Sequence, residues 1–154
     1  MSLYILALLI GVIAGLRAMT APAAISWAAH TGWLGLQNTP LAFLGFAYTP
    51  WIFTVLAILE LITDPLPRTA SRKAPVQFGT RLVTGALSGA AIGASGDALL
   101  AGLVLGVIGA IIGTLAGAAG RSRLALAMGQ DLPAALIEDV VAVGGAALIV
   151  FAPP

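Results

Sequence analysis

The chain has 154 residues, 60% hydrophobic and only 8% charged, with a formal net charge of +1; soluble domains carry roughly 25% charged residues. So few polar groups cannot cover the surface of a small water-soluble protein, and the mean hydropathy is +1.06. The composition therefore points to an integral membrane protein and excludes soluble enzymes, nucleic-acid binders and disordered regulators. The absence of cysteine excludes disulfides, thiol nucleophiles and thiolate metal sites, and a single histidine excludes multi-histidine centres.

A helix that crosses the hydrocarbon core needs about 20 apolar residues. Apolar runs occur at Leu3–Ala29, Leu41–Thr63, Phe78–Ala94, Ala98–Gly120 and Pro133–Phe151. They are continuous, without the polar alternation of a barrel strand. The expectation is an all-α integral membrane protein: one domain, 1–154, folded as a compact bundle of about five transmembrane helices. Two runs carry breaks. In the first, Pro22 follows Arg17 and Thr20; the second begins at Pro40 and meets Thr49-Pro50. Each reads as a proline kink or as a broken or re-entrant helix, which is tolerated where protein or water covers the freed backbone. The stretch Leu3–Leu16 has the length of a signal-peptide core, but no Lys or Arg precedes it and Arg17 follows, so it reads as a retained helix.

Lys and Arg choose orientation. Arg68, Arg72 and Lys73 follow the second run, and Arg121 and Arg123 follow the fourth, whereas the connectors Thr31–Pro40 and Ser95–Asp97 hold neither residue. In a five-span bundle both basic connectors fall on one side. The expected topology has the N-terminus in the cytoplasm and the C-terminus outside. His30 lies beside Trp27 and Trp33, as in an interfacial aromatic belt.

Gly102, Gly106, Gly109, Gly113, Gly117 and Gly120 recur every three or four residues, and Gly85, Gly89 and Gly93 form a second stripe. In lipid, close backbone approach supplies helix attraction. The stripes predict tight packing against each other or against a second copy, with Gly102, Gly106, Gly109, Gly113 and Gly117 as the face for a homo-oligomer. A weak internal echo links the halves. The pattern G-x-R-x-x-T occurs at Gly15–Thr20 and Gly79–Thr84, and Ala57-Ile58-Leu59-Glu60 resembles Ala135-Leu136-Ile137-Glu138. Duplicated halves are common in transporters.

Charges inside apolar runs carry the functional reading. Arg17 lies far from either end of its run, where insertion costs about 2.5–3.5 kcal/mol. Glu60 and Asp64 are spaced i, i+4 and share a helix face. Arg81 opens the third run, and Glu138 and Asp139 lie just inside the fifth. In the expected topology these groups approach the cytoplasmic half. They form either structural ion pairs or a polar cavity. Arginine can clamp a phosphate or carboxylate, and paired carboxylates can hold a cation or a proton.

The stretches Gly15–Ala24, Thr39-Pro40-Leu41-Ala42-Phe43-Leu44-Gly45, Glu60-Leu61 with Asp64, Leu66-Pro67-Arg68-Thr69 and Ser71-Arg72, and Glu138-Asp139 resemble a family of small bacterial membrane proteins catalogued only as a domain of unknown function. Asp64-Pro65 departs mildly from its pattern. The resemblance implies an inner-membrane protein and no activity.

The leading expectation is a small inner-membrane transporter or channel for a small polar or ionic solute. Arg17, Thr20, Glu60, Asp64, Arg81, Glu138 and Asp139 would form its site, in contact with membrane lipid and without nucleic acid. One alternative is a lipid-headgroup binding protein or enzyme, whose carboxylates would hold a metal ion and whose arginines would meet phosphate. The other is a structural assembly protein. No nucleophile–base pair is readable, no catalytic residue is assigned, and cofactor and metal stay unassigned.

Overall fold

The computed structural model describes residues 2–63 and 75–152. Among them all regular structure is helical: α1 (Leu3–Leu16), α2 (Thr20–His30), a 3-10 turn (Ala42–Gly45), α3 (Thr49–Thr63), α4 (Pro75–Ala94), α5 (Leu99–Met128) and α6 (Asp131–Val150). Ser2 caps α1, its hydroxyl accepting from the Tyr4 amide at 3.3 Å. Arg17 stops α1 by turning extended, at φ −140° and ψ 110°. At the far end of α5, Gly129 takes φ +69°, a left-handed turn that glycine adopts freely, and α6 starts at once.

The first apolar run does not cross the bundle once, as a five-span reading requires. It divides at Arg17-Ala18-Met19 into two helices that run in opposite directions. Trp33 and Leu34, just past α2, share a cavity of about 240 Å³ with Leu3 and Leu6 at the start of α1. Trp33 also packs edge-on against Phe151, at the end of α6, with centroids 5.7 Å apart. The chain thus enters, turns at Arg17 and returns to the level where it began. With 14 and 11 residues, α1 and α2 are about 21 and 16 Å long, short of the roughly 30 Å of a hydrocarbon core.

Contacts along the other helices fix their directions. Gly11 and Gly15 of α1 meet Gly106 and Ala110 of α5, so these two run parallel; Gly85, Gly89 and Gly93 of α4 meet Gly106, Gly102 and Ala98, so α4 is antiparallel to α5. Successive helices alternate in direction throughout. The start of α1 and the finish of α6 lie at one end of the bundle, which also carries Trp27, Trp51, Trp33 and Phe151 in edge-on ring contacts. The start of α4 and the α5–α6 turn lie at the other. The expected placement of the first and last helical ends on opposite sides is therefore replaced by a common end. The cause is the reversal at Arg17. Arg68, Arg72 and Lys73 lie outside the described residues.

Among the described residues two helices, α5 and α6, are long and apolar enough to cross a membrane. The glycine stripes are used within the chain. A Cβ on Gly102 or Gly106 would overlap the backbone of Gly89 or Gly85, and one on Gly109 or Gly113 would overlap that of Leu8 or Val12. One stripe of α5 thus seats both α4 and α1. By contrast α3 buries only Pro50 and Ala57 and rests on α2 and the 3-10 turn.

These contacts sort the glycines by consequence. Substituting leucine at Gly106 or Gly113 drives a side chain into backbone and will cost more than the about 1–3 kcal/mol of ordinary overpacking. Leucine at Gly120, which has open space around it, will be tolerated. Thermal unfolding and size-exclusion profiles of the three variants check this.

Candidate functional site

Breaking a helix exposes backbone groups: the last carbonyls of α1 and the first amides of α2 lose their intrahelical partners. Here charged side chains answer the Gly15 and Leu16 carbonyls and the amides of Ala18 and Met19, which lead into α2. The Glu60 carboxylate, from α3, accepts from the Ala18 amide through Oε1 and from the Met19 amide through Oε2, each at 2.8 Å. Arg81, from α4, donates through Nη1 to the Gly15 and Leu16 carbonyls at 2.7 and 2.6 Å. Thr114 of α5 adds a hydroxyl bond to Gly15 at 3.3 Å. Each charge matches the helix end it meets, a carboxylate at the positive start of α2 and a guanidinium at the negative finish of α1. Arg81 Nη2 then closes on Glu60 Oε1 at 3.8 Å.

Arg17, at the break itself, points the other way. Its guanidinium bonds Asp139 Oδ1 and lies 4.0 Å from Glu138 Oε2, both on α6. Glu138 also faces Arg121 Nη1 of α5 at 3.6 Å, and Arg121 clasps Asp131 through Nε and Nη2 at 3.1 and 2.7 Å. Arg17 and Arg81 are fully buried and Glu138 is 8% exposed. The result is one polar network running from α3 and α4 through the hairpin tip to α6 and α5.

The echo pairs cross between halves. The arginine of the first motif meets the glutamate of the second, and the arginine of the second meets the glutamate of the first.

Of the seven site residues read from the sequence, Arg17, Glu60, Arg81, Glu138 and Asp139 come together. Asp64 lies outside the described residues. Thr20 stands apart from the ion pairs. Its hydroxyl is buried without a hydrogen-bond partner among the described residues, and it lines an apolar crevice of about 530 Å³ between α2, α3 and α6. Sequence reasoning missed Thr114, Arg121 and Asp131 as members of the network. Arg121 and Asp131 flank a glycine turn at a spacing that faces them across a helical hairpin, and that signal was readable. Thr114 gave none, because only the close packing of α1 on α5 brings it to Gly15. Among the described residues no group of three acidic or histidine side chains converges as a metal site.

The model of the family described as a domain of unknown function, DUF4126, matches residues 4–154. The chain belongs to this family. No curated protein and no solved structure matches it.

An ion pair buried this deeply is costly to halve and cheap to remove whole. Arg17→Met alone takes the guanidinium away from Asp139 and will lower stability by about 3–5 kcal/mol. Adding Asp139→Leu will restore most of the loss. Unfolding of the single and double variants in the same detergent measures both.

Proposed function

We propose that this chain is a multi-pass protein of the bacterial inner membrane that moves a small polar or ionic solute, with the charge network opening toward the cytoplasm. The observation that carries the reading is the hairpin of α1 and α2. It ends inside the molecule, and its tip exposes backbone groups and a guanidinium that three other helices answer with charged side chains. Short helices that meet end to end at membrane depth are tolerated only where protein or a water-filled path covers the backbone, and such breaks line transporter sites. Charge within a span is a functional signal by default.

The outer surface supports the membrane setting. Ile58 and Ile62 of α3, Val104 and Ile111 of α5, and Val140 and Leu148 of α6 are between 37% and 77% exposed, far more apolar surface than a soluble monomer presents. The aromatic end fits an interfacial belt, and Arg121 and Arg123 lie toward the opposite end. By the distribution of Lys and Arg, that opposite end faces the cytoplasm. Both the start of α1 and the finish of α6 then face the outside.

The natural lack of cysteine makes orientation directly measurable. Single cysteines at Gln37 and Asp97 will react with an impermeant thiol reagent added outside intact cells, and a cysteine at Ser122 will react only after lysis. Transport is tested in proteoliposomes carrying gradients of sodium, potassium, chloride, phosphate and formate in turn. The wild-type chain will dissipate at least one gradient. The folded Arg17→Met/Asp139→Leu variant will dissipate none. A double variant that transports as well as wild type would reduce the network to scaffold.

A further inference from the structure

The apolar crevice between α2, α3 and α6 lies beside the charge network and takes no part in it. Its volume of about 530 Å³ falls in the range of small-molecule sites. It follows α2 from Thr20, at the hairpin tip, to Thr31, at the aromatic end. At the helical rise per residue that is about 16 Å, the length of a medium hydrocarbon chain. Ile58 and Leu61 of α3 and Val143 and Ala147 of α6 line the facing walls. Walls of this kind take a hydrocarbon body.

Three threonines line the crevice, and their hydroxyls differ. Thr54 donates to the Pro50 carbonyl at 2.6 Å and accepts from the Trp27 indole N–H at 2.8 Å. Thr31 donates to the Trp27 carbonyl at 2.8 Å. Both use the carbonyl four residues back, as helical threonines commonly do. Thr20 lacks that bond. It is the first residue of α2, and the carbonyl four residues back, Leu16, lies across the helix break and accepts from Arg81 at 2.6 Å. Thr20 is 94% buried, and its hydroxyl has no hydrogen-bond partner among the described residues. A buried hydroxyl in apolar surroundings is costly to leave unanswered, so the deep end of the crevice offers one donor to an incoming acceptor.

That acceptor has to be neutral. Met19, the residue before Thr20, holds the Glu60 carboxylate on its amide at 2.8 Å, and a second negative charge beside it would be repelled. A carbonyl oxygen meets both conditions. We infer that the crevice is a binding site for a neutral, elongated, membrane-dissolved molecule that ends in a carbonyl. Its chain lies between α2, α3 and α6, and its oxygen accepts from Thr20. The site is separate from the charge network and its occupancy needs no flux, so it stands or falls apart from the transport reading.

Undecyl methyl ketone is the probe, and tridecane, with the same number of carbons and no oxygen, is its control. Each is added at equal mole fraction to the purified protein in detergent. At roughly ten times its dissociation constant the ketone will raise the melting temperature by about 3–6 °C, and the alkane will give less than half of that rise. Thr20→Val keeps the shape and removes the donor. It replaces an unanswered hydroxyl with a methyl group, and ketone and alkane will then act equally. Ala147→Phe, at an exposed position in the crevice wall, fills the crevice and will abolish the ketone effect. An alkane that matches the ketone on the wild type overturns the inference, as does a ketone preference that survives in either variant.

The infrared carbonyl stretch of isotope-labelled ketone gives a second reading, because accepting a hydrogen bond lowers its frequency. The wild type will show a lowered band that Thr20→Val lacks, and identical bands overturn the inference. Where Thr20→Val does not fold, Ala147→Phe supplies the same comparison. Wild-type proteoliposomes that move a solute while the purified protein ignores the ketone retain the transport reading and refute this site. Ketone binding without any flux does the reverse.

Discussion

The structure depends on what happens to the backbone at Arg17-Ala18-Met19. A chain of this composition has few polar side chains to spend, and a buried helix break releases several amides and carbonyls at once. Each left unanswered costs free energy of the order of a lost hydrogen bond. Glu60, Arg81 and Thr114 answer them directly. Arg17, displaced outward by the same reversal, requires Asp139 and Glu138 on α6. The end of α1 and the three residues that join it to α2 are thus tied to α3, α4, α5 and α6.

The glycine stripes are what allow the tip to be reached. Close packing of α1 on one stretch of α5 and of α4 on another brings backbone against backbone, so Arg81 and Thr114 arrive within hydrogen-bonding distance of the end of α1. With larger residues these helices would stand farther apart, and the Gly15 carbonyl would lose both partners. Packing and polar satisfaction are coupled here: each requires the other to be in place. The helix outside the glycine packing, α3, buries only Pro50 and Ala57 and reaches the tip through Glu60.

The family match extends over nearly the whole chain, and the resemblance of the Gly15–Ala24, Leu66–Arg72 and Glu138-Asp139 stretches to a family of unknown function agrees with it. In the structure, two of those three stretches contribute to the network at the hairpin tip, and Arg68 and Arg72 fall outside the described residues.

Much of this was open to reading from composition and spacing. Helical class, the positions of the apolar runs, the packing role of the glycines and the need of Arg17 for a carboxylate partner all follow from residue type and local periodicity, because each depends on the cost of exposing or burying a given group. The break near Pro22 was visible as well. Its consequence was not. A kinked crossing and a returning hairpin have the same local sequence, and they differ only in whether distant groups can satisfy the reversed backbone. That depends on Glu60 and Arg81, 41 or more residues away along the chain, and on Gly106 to Gly113 seating α1 at the right depth. The sequence by itself determined which groups had to be satisfied; the tertiary structure alone decided which partners satisfied them, because hydrogen bonds act over a few ångströms and only folding brings those residues that close.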